Sequence, residues 1–329
     1  MGIILGVEST AHTFGVGIVE HGKILANVRD SYTTEKGGIV PLEAARHHAL
    51  VNQEVLQKAL VLAGISLEKV DAIAFSQGPG LAPCLLEGLK LVKKLSSDFQ
   101  KPVIPINHCV AHLEIGKITG AKDPVLLYAS GANTQIIAYA SGKYRIFGET
   151  LDLGIGNCID TFARDADLGF PGVPKIAEIA LKGETYVELP YSIKGMDVAF
   201  SGLLTNLKQK LESKKYSLED LSYSLQETAF SLLVEAAERA LAHTGKKELV
   251  LGGGVACNKR FQEMCKIMCF ERGATFFVPE NSLLVDNGAM IAYAGEMMFK
   301  KGIFVALEQV RLLDILPRQR TDEVEISYL

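Results

Sequence analysis

Leu5–Leu25 reads LGVESTAHTFGVGIVEHGKIL and Val125–Arg145 reads VLLYASGANTQIIAYASGKYR. A shift of 120 positions lays Ser9-Thr10-Ala11-His12-Thr13 on Ala129-Ser130-Gly131-Ala132-Asn133, and Gly22-Lys23 on Gly142-Lys143. Each stretch is an apolar strand, a small polar turn, a second apolar strand and a hairpin at Gly-Lys. A repeat this distant points to duplication of a whole domain, because solenoid repeats run about 20–50 residues. Helical apolar spacing over Pro41 to about Ala63, and over Leu218 to about His243 before Gly245, alternates with the strands and predicts α/β layers. Small residues in the two turns leave room for backbone N–H groups to approach phosphate oxygens, so a nucleotide cleft is expected. LVLGGGVACN (residues 249–258) adds a third strand ending in glycines, which serves either as a tight turn or as a ligand contact.

Composition bounds the class. The chain has 329 residues, 48% hydrophobic and 22% charged, enough for two cored domains. A net charge of −4 argues against a free-standing nucleic-acid binder. Met1 runs straight into the strand-like IILGVEST with no basic leader, and no apolar run reaches membrane-spanning length. Six cysteines without a CxxC pair read as buried hydrophobes in a reducing cytoplasm.

The chemistry-bearing feature is NHCVAHLEIGK (residues 107–117). His108 and His112 stand at i and i+4, one face of a helix, and both imidazoles can meet one metal ion. Asp286 in VDNGAMIA is the third candidate ligand. Two imidazoles and a carboxylate suit non-haem iron, with zinc also compatible. Glu8 and His12 in the first turn are candidates for substrate orientation or proton removal, although any strand-to-strand turn has polar residues there. Arg46-His47-His48 point about 100° apart on a helix, so they are left out of the metal set, with one face toward the cleft and one toward solvent. Gly37-Gly38 is expected to mark a mobile loop.

GVESTAHTFGVGIV (6–19), AFSQGPGLAPCL (74–85), NHCVAHLEIGK, LYASGANTQIIAY (127–139), GMDVAFSGLL (195–204), LGGGVACNKR (251–260) and DNGAMIAY (286–293) together resemble the tRNA threonylcarbamoyladenosine synthesis family. This is the sugar-kinase/actin-like catalytic subunit of the KEOPS complex and its bacterial relative. The resemblance runs from Gly2 to about Gly302 and includes RTDEVE at Arg320–Glu325. It implies duplicated ribonuclease-H-like domains of the actin/sugar-kinase/Hsp70 superfamily with a nucleotide cleft between them. The expected domains are 1–118 with a return at about 296–329, and 119–295.

The implied reaction passes a threonylcarbamoyl group from threonylcarbamoyl-AMP to N6 of adenosine 37 in tRNAs reading ANN codons. The resemblance puts the metal on His108, His112 and Asp286 with Tyr128 as fourth ligand, iron preferred and zinc or magnesium compatible. It puts an adenine nucleotide (ATP or threonylcarbamoyl-AMP) on Tyr128, Ala129, Ser130, Gly131, Ala132, Asp160, Val173 and Asn258. Asp160 suits ribose hydroxyls or a plain helix surface, and Asn258 a base edge or a helix cap. Implied partners are tRNA, a small atypical protein kinase and other KEOPS-type subunits, in the cytoplasm and without a membrane. The sequence departs from the family at Ala132, Val173 and Ala177, and alanine at 132 needs a negative φ.

Rival readings are a metallopeptidase, a small-molecule kinase and a regulatory ATP-binding scaffold. A zincin needs HExxH, and Cys109 holds the position of its glutamate. A sugar kinase needs an aspartate base and Mg-ATP, not helix-borne histidines. The charged tail after Leu307 is expected along the first domain or reaching toward the kinase.

Overall fold

His21-Gly22 and Ser141-Gly142 are left-handed at both residues, with φ of 54° and 73°, and 52° and 79°. That backbone closes a two-residue hairpin whose twist matches the flanking strands. The two hairpins open the two halves of the chain. A computed structural model describes residues 2–34 and 38–328; of the expected Gly37-Gly38 loop, Gly37 lies outside the described residues.

In chain order the first half holds β1 (Ile3–Glu8), β2 (Thr13–Glu20), β3 (Lys23–Ser31), α1 (Pro41–Ala63), β4 (Ala72–Gly78), α2 (Ala82–Phe99), β5 (Val103–Asn107) and α3 (His108–Gly116). The second holds β6 (Val125–Ala129), β7 (Thr134–Ala140), β8 (Lys143–Glu149), α4 (Ile155–Asp165), α5 (Val173–Ala180), the short hairpin β9 (Ile193–Lys194) and β10 (Asp197–Val198), α6 (Ser201–Glu212), α7 (Leu218–Thr244), β11 (Glu248–Gly252), α8 (Lys259–Glu271), β12 (Thr275–Phe277) and α9 (Asn281–Leu284). The chain ends with α10 (Gly288–Lys300) and α11 (Leu307–Val310).

The sheets repeat one another. The first runs β3-β2-β1-β4-β5 and the second β8-β7-β6-β11-β12. In each, the three leading strands pair antiparallel and the next two join parallel. The parallel joins need helical crossovers, which α1, α2, the α4–α7 run and α8 supply. α1 starts with proline at its first turn and stops at Gly64, φ 65°. α7 is capped by Ser217, which accepts from Asp220 N–H, and stops at Gly245, φ 71°.

Contacts divide the chain into Met1–Tyr32, Ile39–Ile118 and Asp286–Leu329 as one unit, with Thr33–Gly38 and Thr119–Val285 as the other. The first unit packs Leu5, Val7, Phe14, Ile18, Phe75 and Leu89 into one core. The second is centred on Leu127, Phe162, Phe230 and Phe261, the last two stacked at 4.7 Å. The chain returns to the first unit at Asp286, not at about 296 as expected. The reason is local: α10 lies flush on β1 and β2, because Gly6, Gly15 and Gly17 carry no side chain where its backbone passes. Among the described residues no helix is long and apolar enough to cross a membrane.

The tail also belongs to the first unit. Val305 exchanges both backbone hydrogen bonds with Val103, covering the open edge of β5. Leu316 N–H donates to the Gln77 carbonyl at 2.8 Å, and Gly78 lies so close that a Cβ would stand 1.9 Å from Leu316 O.

Candidate metal centre

β5 passes into α3 without a loop. Asn107 is the last residue of the strand and the cap of the helix, its Oδ1 accepting from Val110 N–H at 3.1 Å. His108 therefore opens α3 and His112 follows one turn later, their rings 4.7 Å apart. Asp286 immediately precedes Asn287, which caps α10 by accepting from Met290 N–H at 2.9 Å. Two side-chain caps thus fix the chain beside the ligands, and α3 packs on α10.

His108 Nε2 is 3.4 Å and His112 Nε2 3.3 Å from Asp286 Oδ1, and one ligand atom from each residue lies within 4.8 Å of the other two. These separations are long for charge-assisted hydrogen bonds, which cluster near ~2.7–2.9 Å. They match the edges of a coordination shell: ligands ~2.1 Å from an ion stand roughly 3.0–3.4 Å apart. His108 and His112 are 5% and 1% exposed. The donor set fits one cation of the iron or zinc kind. All three residues belong to the first unit.

The electrostatics agree. Burial opposes a charge on His108, but Glu8 and Asp286 outweigh it and hold the imidazole well above its usual pKa. Burial lowers His112. Burial would raise Asp286, yet the two histidines hold it well below the carboxylate range. Without metal, Glu8 and Asp286 favour the protonated form of His108, and an ion would compete with that proton.

Glu8 is fully buried under this set. Its Oε2 meets His108 Nδ1 at 3.0 Å, and its Oε1 accepts from Thr10 N–H at 2.7 Å and from the Thr10 hydroxyl at 2.5 Å. It orients His108 and leaves Nε2 directed at Asp286. His12 is half-buried in the β1–β2 turn, and its carbonyl accepts from Tyr32 N–H. The Arg46-His47-His48 helix does divide its faces, with Arg46 toward solvent and His48 inward. Arg46 is exposed and pairs with Glu43, His47 pairs with Asp30 at 2.8 Å, and His48 is fully buried against Phe14.

The other expected residues lie in the second unit. Tyr128 is buried near the end of β6. The Ser130–Asn133 turn is closed by Ser130 N–H donating to Asn133 O at 2.9 Å, while Ser130 O and Gly131 O receive Gly156 and Asn157 N–H of α4. Ala132 is absent from the left-handed residues, as alanine there requires. Asp160 Oδ1 accepts from Gly172 and Val173 N–H at 2.7 and 3.1 Å, tying α4 to the start of α5. Asn258 Oδ1 accepts from Arg260 and Phe261 N–H and its amide donates to Gln226: these are the contacts of a helix cap. Sequence reasoning missed Thr10, Asn107 and the contacts by which the tail reaches α3. An asparagine before a helix start was the available signal for the second.

A family model described as tRNA N6-adenosine threonylcarbamoyltransferase matches residues 23–293. A relative of that name from Thermococcus kodakarensis is 57% identical over 328 residues, covering 99% of both chains. A Methanosarcina mazei protein named "Probable bifunctional tRNA threonylcarbamoyladenosine biosynthesis protein" is 52% identical over 330 residues, 99% of this chain and 59% of that one. Among solved structures, T. kodakarensis HypF superposes with a TM-score of 0.63 at 14% identity, over 95% of this chain and 49% of that one; this likeness shows the fold alone. With a family model spanning most of the chain and a relative more than half identical from end to end, the chain belongs to the tRNA N6-adenosine threonylcarbamoyltransferase family and is a transferase.

Proposed function

We propose that this chain moves the threonylcarbamoyl group of threonylcarbamoyl-AMP to N6 of adenosine 37 in tRNAs reading ANN codons, assisted by one metal ion on His108, His112 and Asp286. Iron is the foremost candidate. Family membership supports the transfer, and the convergence of two imidazoles and a carboxylate within 4.8 Å carries the metal assistance. An ion held there supplies a Lewis acid and a template for donor oxygens.

The chain's own residues do the rest. Glu8 and Thr10 hold His108 in one orientation, and burial keeps water from the histidines. The N6 amine attacks the carbamoyl carbon, the carbon–oxygen bond to phosphate breaks, AMP leaves with the electron pair, and N6 releases its proton to solvent. The donor is already activated, so positioning and charge stabilisation lower most of the barrier. The Ser130–Ala132 turn, Asp160 and Asn258 remain the residues proposed to receive the adenylate.

A peptidase reading finds no base. Cys109 beside His108 is buried and burial raises its thiol pKa, while Glu114 is engaged by Lys117 and Tyr328. KEOPS-type partners, a small kinase among them, are proposed to supply tRNA affinity. The lysines of α2 are consistent with that: Lys90 pairs with Glu87, Lys94 with Asp98, and Lys93 donates to Arg311 O. The M. mazei relative, of which this chain covers only part, supports a second component working beside it.

The test combines the purified chain, KEOPS-type subunits, threonylcarbamoyl-AMP and tRNA, and follows modified adenosine by nucleoside mass spectrometry. Metal-dependent formation of threonylcarbamoyladenosine is expected. Unmodified tRNA with cleaved peptide, or with a phosphorylated small molecule, would overturn the reading.

A further inference from the structure

The last residues of the chain meet α3 at three points. At its cap, Asn107 Nδ2 donates to Gln319 Oε1 at 3.0 Å while Asn107 Oδ1 holds Val110 N–H. In the first turn, the Cys109 thiol bonds the Thr321 side chain, and Thr321 is 2% exposed. In the last turn, the Tyr328 hydroxyl donates to Glu114 Oε1 at 3.4 Å, and Lys117 holds the other carboxylate oxygen at 2.9 Å. Glu114 is fully buried and Tyr328 nearly so. A buried carboxylate needs partners, so this end of the tail cannot leave without exposing one.

We propose that residues 316–328 form a strap that positions α3, making the chain's own tail a determinant of metal affinity at His108 and His112. The inference rests on the metal reading above. Asn107 is the hinge of the argument: one end of its amide caps the helix that begins with His108, and the other end is held by Gln319. Loss of the Gln319 acceptor leaves a nearly buried amide unsatisfied and lets the cap rotate. His108 is the next residue, so its ring loses its fixed approach to Asp286. Supporting groups behind metal ligands typically alter affinity about 10–100-fold. Gln319 acts through Asn107, Thr321 through Cys109 and Tyr328 through Glu114. They are positioning residues.

The experiment uses the full-length chain loaded with Fe(II) or Zn(II), and measures affinity by competition with a chromophoric chelator. The variants are Gln319→Leu, Gln319→Glu, Tyr328→Phe and, as reference, His108→Ala. Unfolding in chelator without metal monitors the fold. Gln319→Leu and Tyr328→Phe are expected to weaken binding about tenfold. Gln319→Glu, which keeps the acceptor, is expected to restore most of it. Hydrogen exchange of α3 amides should quicken in the first two and not in the third. Wild-type affinity in every strap variant, with binding lost in His108→Ala, overturns the strap and leaves the metal reading standing. Equal affinity in wild type and His108→Ala overturns the metal reading, and the strap with it. Affinity loss matched by an equal loss of the acceptor-keeping variant shows a general packing effect and also overturns the strap.

Discussion

Glu8 Oε2 lies 3.0 Å from His108 Nδ1, with both partners buried. A carboxylate behind a metal-binding histidine fixes the ring's tautomer and strengthens the other nitrogen as a ligand. Both of its oxygens are engaged, one by His108 and one by Thr10, so its proposed part is to hold His108. Glu8→Gln keeps an acceptor for Nδ1 but removes the charge, and is expected to lower metal affinity about 10–100-fold, with transfer activity falling in step. Chelator competition on the purified variant measures it; unchanged affinity with lost transfer would return Glu8 to a direct role in the reaction.

Metal loading should depend on pH through the same residue. Glu8 and Asp286 hold His108 above its ordinary 6.5 against the pull of burial, so below that raised value an incoming ion must displace a proton. Affinity is expected to rise by about tenfold per pH unit up to the raised value, one proton being released per ion, and then to level off. In the metal-free chain the sign is opposite. The protonated His108 contributes stability that is full below pH 6.5 and lost as pH rises through the folded value. Chelator titrations and urea unfolding across pH 5–9 check both; a flat affinity profile would refute the first.

His48 works in the contrary direction. Its ring is fully buried, 5.6 Å from that of Phe14, with Ala11 backbone as its polar neighbour. Burial, helped by His47, lowers its pKa from 6.5 to about 4. The unfolded chain takes up this proton near pH 6.5 and the folded chain only near 4, so stability is full above 6.5 and declines between those values. The loss approaches roughly 3 kcal/mol at the acid limit. His48→Leu, which cannot take up the proton, is expected to unfold with a shallower dependence between pH 6.5 and 4.5 than the wild type. Parallel urea curves for the two would show that His48 does not set this slope.

What could be seen beforehand was whatever short-range chemistry decides. The hairpins announced themselves through the glycines of Gly22-Lys23 and Gly142-Lys143, although the left-handed pairs, His21-Gly22 and Ser141-Gly142, lie one residue earlier, and the ends of α1 and α7 because proline and glycine punctuate helices. His108 and His112 share a face by spacing alone. Asp286 joins them across 174 positions, legible only as a residue type in a suitable phrase. Glu8 was visible as a polar strand end, but its partner was not. Asn258 offered two roles: its Oδ1 caps α8, which its neighbours and not its identity decide, and its contact with the adenylate stays a proposal. The return of the chain at Asp286 was hidden for the same reason: it depends on three glycines of the first strands meeting the backbone of a helix near the far end of the sequence.

Those glycines give the most direct test of how the fold sets the site. A Cβ at Gly17 would stand 2.1 Å from Ala289 N and 2.4 Å from its Cα; at Gly6 it would stand 2.3 Å from Ala292 N. The obstacles are backbone atoms, so no rotamer relieves them and α10 must move away. Asp286 sits two residues before α10 and moves with it, away from histidines carried on α3. Gly17→Ala is therefore expected to cost at least about 1–3 kcal/mol, the usual range for overpacking, and to weaken metal binding together with stability. Gly22→Ala is the control. Its φ of 73° strains any side chain, but nothing lies within 4 Å of the added atom, so a loss of about 1–2 kcal/mol is expected with metal affinity unchanged. Urea unfolding and chelator competition on both variants decide the matter. If Gly17→Ala loses stability yet binds metal like the wild type, α10 does not carry Asp286 into place, and the aspartate is held by the turn around Asn287 instead.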